Sequence, residues 1–204
     1  MSKKIILVLV VLVLALGVGF YIYKNSTSQN SNDNQNNQPE QLKQIQQLEH
    51  PNLDKPVNIT VNNMPEDAQK IARQKIADFS AKLRDSNDWV DGWLQLAIYR
   101  KMIGDYEAAR DIWNYVALIA PKSPTPFNNL GDLYFHFMVD YKKAEENFLK
   151  AIEIDPHALY VYRNIYELYH YGLKDDAKAK AILEKGITAN PGASQDLKYL
   201  LDNL

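Results

Sequence analysis

The side chains of this 204-residue chain best suited to chemistry are His50, His136, His157 and His170. His136 and His170 each have a carboxylate about one helical turn earlier, Asp132 and Glu167. On a helix that spacing puts imidazole and carboxylate on one face, and two such faces side by side could ligate a metal. Two histidines with no closed ligand set around them are weak evidence for zinc. A solvated polar face that recurs with a repeating unit accounts for the same residues, so no metal is expected. Nucleophilic catalysis is no better served. The chain has no cysteine, and its one cluster of hydroxyls, Ser26, Thr27, Ser28 and Ser31, lies in a polar stretch where no rigid neighbour could activate them. Neither H-E-x-x-H, G-x-S-x-G nor a Gly-rich phosphate loop occurs. No catalysis and no cofactor are therefore expected.

What must position these residues is a repeat. Asp105, Asp140 and Asp175 are 35 residues apart, as are Ala109, Ala144 and Ala179, and Pro121, Pro156 and Pro191. A period of this size marks a solenoid, in which each unit buries its apolar face only by stacking on its neighbours. The first helix of each unit reads Trp93-x-x-Leu96-Ala97-x-x-Arg100, Phe127-x-x-Leu130-Gly131-x-x-Tyr134 and Tyr162-x-x-Ile165-Tyr166-x-x-Tyr169. The second reads Ala109-x3-Trp113, Ala144-x3-Phe148 and Ala179-x3-Leu183. The small Ala97 and Gly131, facing Ala109 and Ala144, would let paired helices approach closely. Each Asp would cap free N–H groups of the second helix, and each Pro would end it. Repeats two and three carry one extra residue in the turn between their helices. Tyr166, at the small position, should push the third pair apart or rotate it.

This pattern resembles the tetratricopeptide repeat over about residues 89–191. The resemblance implies an all-α, right-handed solenoid of helix pairs, with repeats at about 89–121, 123–156 and 158–191. A leading helix at 65–84 and a capping helix at 193–203 would complete a folded part spanning 62–204. It also implies that the first helix of each pair lines a concave groove for a protein or peptide. The groove residues would be Leu94, Ile98 and Met102, then Asn128, Asp132 and Phe135 or His136, then Tyr160, Arg163, Glu167, His170 and Tyr171. The family's clamp for a terminal carboxylate is not expected. Leu94, Ile98, Tyr160 and Asn164 stand at four of its positions, and only Asn129 matches.

The N-terminus predicts where such a scaffold would work. Ile5 to Tyr23 is an uncharged run of 19 residues, long enough as a helix to cross a bilayer. Lys3 and Lys4 precede it, which favours a cytoplasmic N-terminus and an extracytoplasmic domain. Residues 1–24 are thus expected to be a retained single-pass anchor at a bacterial-type cell envelope. Cleavage as a signal peptide, leaving a secreted binding protein, is the competing reading. Asn, Gln and Ser dominate the segment that follows, so a disordered linker is expected over 25–61, with a short β-like stretch at Val57–Val61. Over 65–204 there are 21 acidic and 18 basic residues, a balance that offers no footprint for nucleic acid. The expectation is a membrane-anchored, non-catalytic interaction scaffold, with an envelope enzyme as the lesser alternative.

Overall fold

The computed structural model describes residues 49–204, which form one compact unit of helices. The expected anchor at Ile5–Tyr23 and most of the expected linker lie outside the described residues. Among those described, no helix is long and apolar enough to cross a membrane.

Eight α-helices follow one another: α1 Glu66–Asp85, α2 Val90–Met102, α3 Tyr106–Ile119, α4 Thr125–His136, α5 Tyr141–Ile154, α6 Leu159–Glu167, α7 Asp176–Ala189 and α8 Gln195–Asp202. A five-residue π-helical segment, Leu168–Gly172, extends α6. The pairs α2/α3, α4/α5 and α6/α7 are the three repeats. α1 precedes the three pairs and α8 follows them.

The repeat positions do what their chemistry dictates. Asp105, Asp140 and Asp175 each accept a hydrogen bond from the backbone N–H three residues on, at 3.3, 3.1 and 2.9 Å. Each thereby caps the helix that follows. Ala97, Ala109, Ala144 and Ala179 are fully buried, as are Trp93, Trp113, Phe148 and Leu183. The polar tips of Trp93 and Tyr162 donate to the carbonyls of Asn87 and Pro156, six residues upstream in both units. Gly131 was expected to face Ala144. Its closest neighbour is instead Phe148, since a Cβ built on Gly131 would lie 2.5 Å from Phe148 Cδ1.

The turns between paired helices share a backbone feature. Gly104, Val139 and Lys174, each just before its capping Asp, have φ of 84°, 53° and 56°. The extra residue in repeats two and three widens this turn. Asp105 N–H reaches back to Arg100 O, five residues away, whereas Asp140 and Asp175 reach Tyr134 and Tyr169, six away. In repeat three the wider loop is absorbed as the π-helical turn, one common way a helix accommodates an insertion. Tyr166 is buried just before it, its ring 5.5 Å from that of His170 and nearly parallel.

The linker boundary differs from the expectation. Residues 51–60 are laid along α1 and α2 as an irregular strap, and no strand forms at Val57–Val61. Leu53 is buried. Arg73 donates to Val57 O at 2.7 Å, and Thr60 N–H to Ile103 O at 2.9 Å. The strap holds because Arg100 has no room for water around its head. Only 2% exposed, Arg100 donates to Lys55 O at 2.7 Å, Pro56 O at 3.0 Å and Asp105 Oδ2 at 3.2 Å.

Candidate functional site

The first helices α2, α4 and α6 stand side by side, and polar links across them decide which groove candidates are free. Lys101 on α2 donates to Asp132 Oδ2 on α4 at 2.7 Å. Asp132 Oδ1 lies 3.6 Å from His136 Nε2, so one carboxylate serves two cations when His136 is protonated. Asn164 on α6 donates to Asn128 Oδ1 on α4 at 2.8 Å. Asn128 is 9% exposed and its carbonyl is engaged, so it braces the face more than it presents a contact.

The remaining candidates divide by chemistry. Leu94 and Ile98 are half-buried, packed against the core, while Met102 is exposed. Tyr160 is exposed at the start of α6, and burial of part of its ring raises its phenol above the usual range. Arg163 is half-exposed, with its guanidinium 3.9 Å from Asp196 on the capping helix, a loose contact that leaves most donors available. Glu167 is half-buried and carries no ion pair among the described residues. His170 Nδ1 lies 2.6 Å from Asp176 Oδ1, and Tyr171 is 59% exposed beside it, with ring centroids 4.5 Å apart.

The structure does not bring the four metal candidates to one point. His136 is served by Asp132 within α4, and His170 by Asp176 at the start of α7. Among the described residues no three His, Asp or Glu side chains converge as a metal set would.

Two features of this region escaped sequence reasoning. Lys101 is the cationic link of the face, and its ammonium also lies 5.4 Å from the Phe137 ring. The helix ends form an aromatic ridge. Tyr106 and Phe137 rings are 4.8 Å apart, Phe137 and His136 6.3 Å, and His136 and Phe135 4.1 Å. A Cβ built on Gly172 would lie 2.8 Å from Phe135 Cε2, so the ridge continues into the third unit. The signal was the recurrence of bulky residues in and beside the turns, which periodicity alone reads as core.

Among known proteins, a family model described as tetratricopeptide repeat matches residues 125–157, which are α4, α5 and their flanks. No curated protein matches the sequence. The solved structures that align with this chain include two at low identity. One, titled "Crystal structure of MamA", has 20% identity, covers 68% of this chain and 88% of its own, and superposes with a TM-score of 0.49. The other, "Crystal structure of MamA protein", has 21% identity, coverages of 67% and 80%, and a TM-score of 0.48. The part of the chain that matches the tetratricopeptide-repeat model is thus the helix pair α4/α5, with its capping Asp140 and buried Ala144.

Proposed function

We propose that this protein is a membrane-anchored scaffold that holds a protein or peptide outside the cytoplasm, across the face formed by α2, α4 and α6. Tetratricopeptide repeats support a protein-interaction scaffold as the general role. The observation that carries the finer reading is the pair of links Lys101–Asp132 and Asn164–Asn128. They fix three adjacent helices relative to one another, so an incoming segment meets a pre-organised surface and incurs less ordering cost. Around those braces Met102, Tyr160, Arg163 and Tyr171 remain exposed, a mix of apolar area and donors of the kind that dominates binding hot spots.

The location rests on the uncharged run Ile5–Tyr23 behind Lys3 and Lys4. A displayed peptide library panned against the full chain in detergent supplies ligands for the test. Arg163→Ala with Tyr171→Ala should weaken the selected peptides at least tenfold, whereas Lys143→Ala with Glu146→Ala, on α5, should leave binding unchanged. The reverse pattern would move the binding surface to the second helices.

A further inference from the structure

We infer that the edge of the solenoid formed by the turns between paired helices docks on a lipid bilayer surface. The inference rests on the anchor reading of residues 1–24 and adds a second, weaker contact made by the folded domain itself.

The observation is a row of exposed apolar side chains, at least one from each turn. Phe137, Val139 and Leu173 are 41%, 64% and 38% exposed, and Met102 and Tyr171, 46% and 59% exposed, stand where this edge meets the face of α2, α4 and α6. The row is continuous across the units through Tyr106–Phe137 and Phe135–Gly172. Val139 is the most telling member. It sits at the tip of its turn with φ of 53°, a region that a β-branched residue adopts only under strain. Repeat one has Gly at that position and repeat three has Lys, both more natural there. An exposed, strained valine gains nothing from the fold around it.

The lysines nearby fit a water–lipid boundary. Lys101 lies over Phe137 and Lys174 over Tyr171, at 5.4 and 5.9 Å, so apolar rings point outward with ammonium groups beside them. Side chains with an apolar body and a polar head settle at that boundary. Most of the edge charge is already paired: Lys143 with Asp140, Lys178 with Glu145, Lys142 with Glu146 and Lys101 with Asp132. Attraction to anionic lipid is therefore not the driving term, and neutral phosphatidylcholine should suffice.

The occupant follows from the anchor reading of the sequence. Twenty-five residues lie between Tyr23 and Glu49, a length of chain that spans at most about 90 Å, so on the anchor reading the domain stays beside the bilayer. A domain kept that near a surface can engage it through a row of small contacts without high affinity.

The absence of native cysteine makes the test direct. The full-length Val139→Cys chain is labelled with an environment-sensitive fluorophore and reconstituted in phosphatidylcholine vesicles. Its emission should shift blue and be quenched severalfold by nitroxides on the acyl chains. A label at Lys122→Cys, in a loop at the opposite end of the helices, should stay water-like. Adding Phe137→Ser and Leu173→Ser should abolish the quenching at position 139, with flotation and thermal melting unchanged. If the chain floats with the vesicles but position 139 is not quenched, docking is wrong while the anchor stands. A chain that does not float sinks both readings. Concentration-dependent shielding of position 139 without lipid quenching would assign the edge to a second copy and overturn the inference.

Discussion

Arg100 donates to Asp105 across 3.2 Å, and through this pair the first repeat grips a segment that belongs to no repeat. The same guanidinium takes two strap carbonyls, and Lys55 of the strap returns a 2.6 Å contact to the other oxygen of Asp105. Burial lowers the pKa of Arg100, with Asp105 opposing that shift. Removing a buried charged partner costs more than the pair contributes, because the remaining groups are left unsatisfied. Arg100→Ala should therefore lose about 3 kcal/mol of stability and free the strap. Hydrogen exchange at Thr60, whose N–H bonds Ile103 O, should rise in the variant. Native protection of Thr60 in Arg100→Ala would show that the strap is held by other means. A fragment starting at residue 62 should melt below one starting at residue 49 for the same reason.

The strap also shows where the sequence was opaque. Residues 49–61 contain Asn, Pro and charge, with Leu53 the only buried apolar side chain, and they lie outside the 35-residue period, so the repeat could not betray them. The legible sign lay elsewhere. Arg100 stands where the other units have Tyr134 and Tyr169, and a charge at a core position demands partners. The caps, the proline-closed helices and the aromatic layer were readable because each is a local rule repeated three times. The Asn128–Asn164 brace was not, since two ordinary polar residues acquire meaning only once α4 and α6 are adjacent. The widened turn was countable as one extra residue, but its π-helical form in repeat three depends on packing around Tyr166.

The turn before each capping Asp sets up a test with opposite signs at equivalent positions. Val139→Gly removes the strain of a β-branched residue in the left-handed region, which costs about 1–2 kcal/mol. Part of that gain is offset by the added freedom of glycine when unfolded. The net should be a stabilisation of about 0.5–1 kcal/mol, or roughly 2–3 °C in melting temperature. Gly104→Val should do the reverse, since its φ is 84° and a Cβ there would lie 2.1 Å from Thr60 Oγ1. Two shifts of the same sign would contradict the shared turn geometry.

Gly131 tests the close packing of the second repeat. The space a side chain would need is filled by Phe148, which is fully buried and cannot swing into solvent. Gly131→Leu should cost about 1–3 kcal/mol through overpacking. Phe148→Ala in the same chain should recover part of that loss, because it vacates the site the leucine invades. Simple additivity of the two changes, read by denaturant unfolding, would mean that the residues do not meet.

Two ionisable groups bound the pH range of stability from opposite sides. Asp140 is held below the usual carboxylate range, first by the Lys143 ammonium and then by the Lys143 backbone N–H. A lowered folded value means that its contribution is present above the ordinary value of 3.8 and lost as pH falls through and below it. Tyr169 is shifted the other way. Burial, then its hydrogen bond to Glu145, raise its phenol well above 10.0. Its contribution is therefore present below pH 10 and lost as pH rises beyond. Asp140→Asn should flatten the acid limb of a stability–pH curve and Tyr169→Phe the alkaline limb, each leaving the other limb in place.

The brace between Asn164 and Asn128 links stability to binding. Asn164 donates across 2.8 Å to an acceptor that is nearly buried, so losing the donor leaves Asn128 Oδ1 without its partner. A net hydrogen bond is worth about 1 kcal/mol, and an unpaired buried acceptor costs about 1–3 kcal/mol. The single changes Asn164→Ala and Asn128→Ala should each destabilise. The double variant should be milder than their sum, with a coupling of about 0.5–1.5 kcal/mol in a double-mutant cycle. The functional consequence follows from the same geometry. If α4 and α6 are held in register by this bond, Asn164→Ala should slacken the face and weaken peptides selected on the native chain. The loss should appear as faster dissociation, because recognition side chains remain while their fixed spacing does not. Unchanged dissociation with a measurable stability loss would restrict the brace to folding and leave the arrangement of the face to helix packing alone.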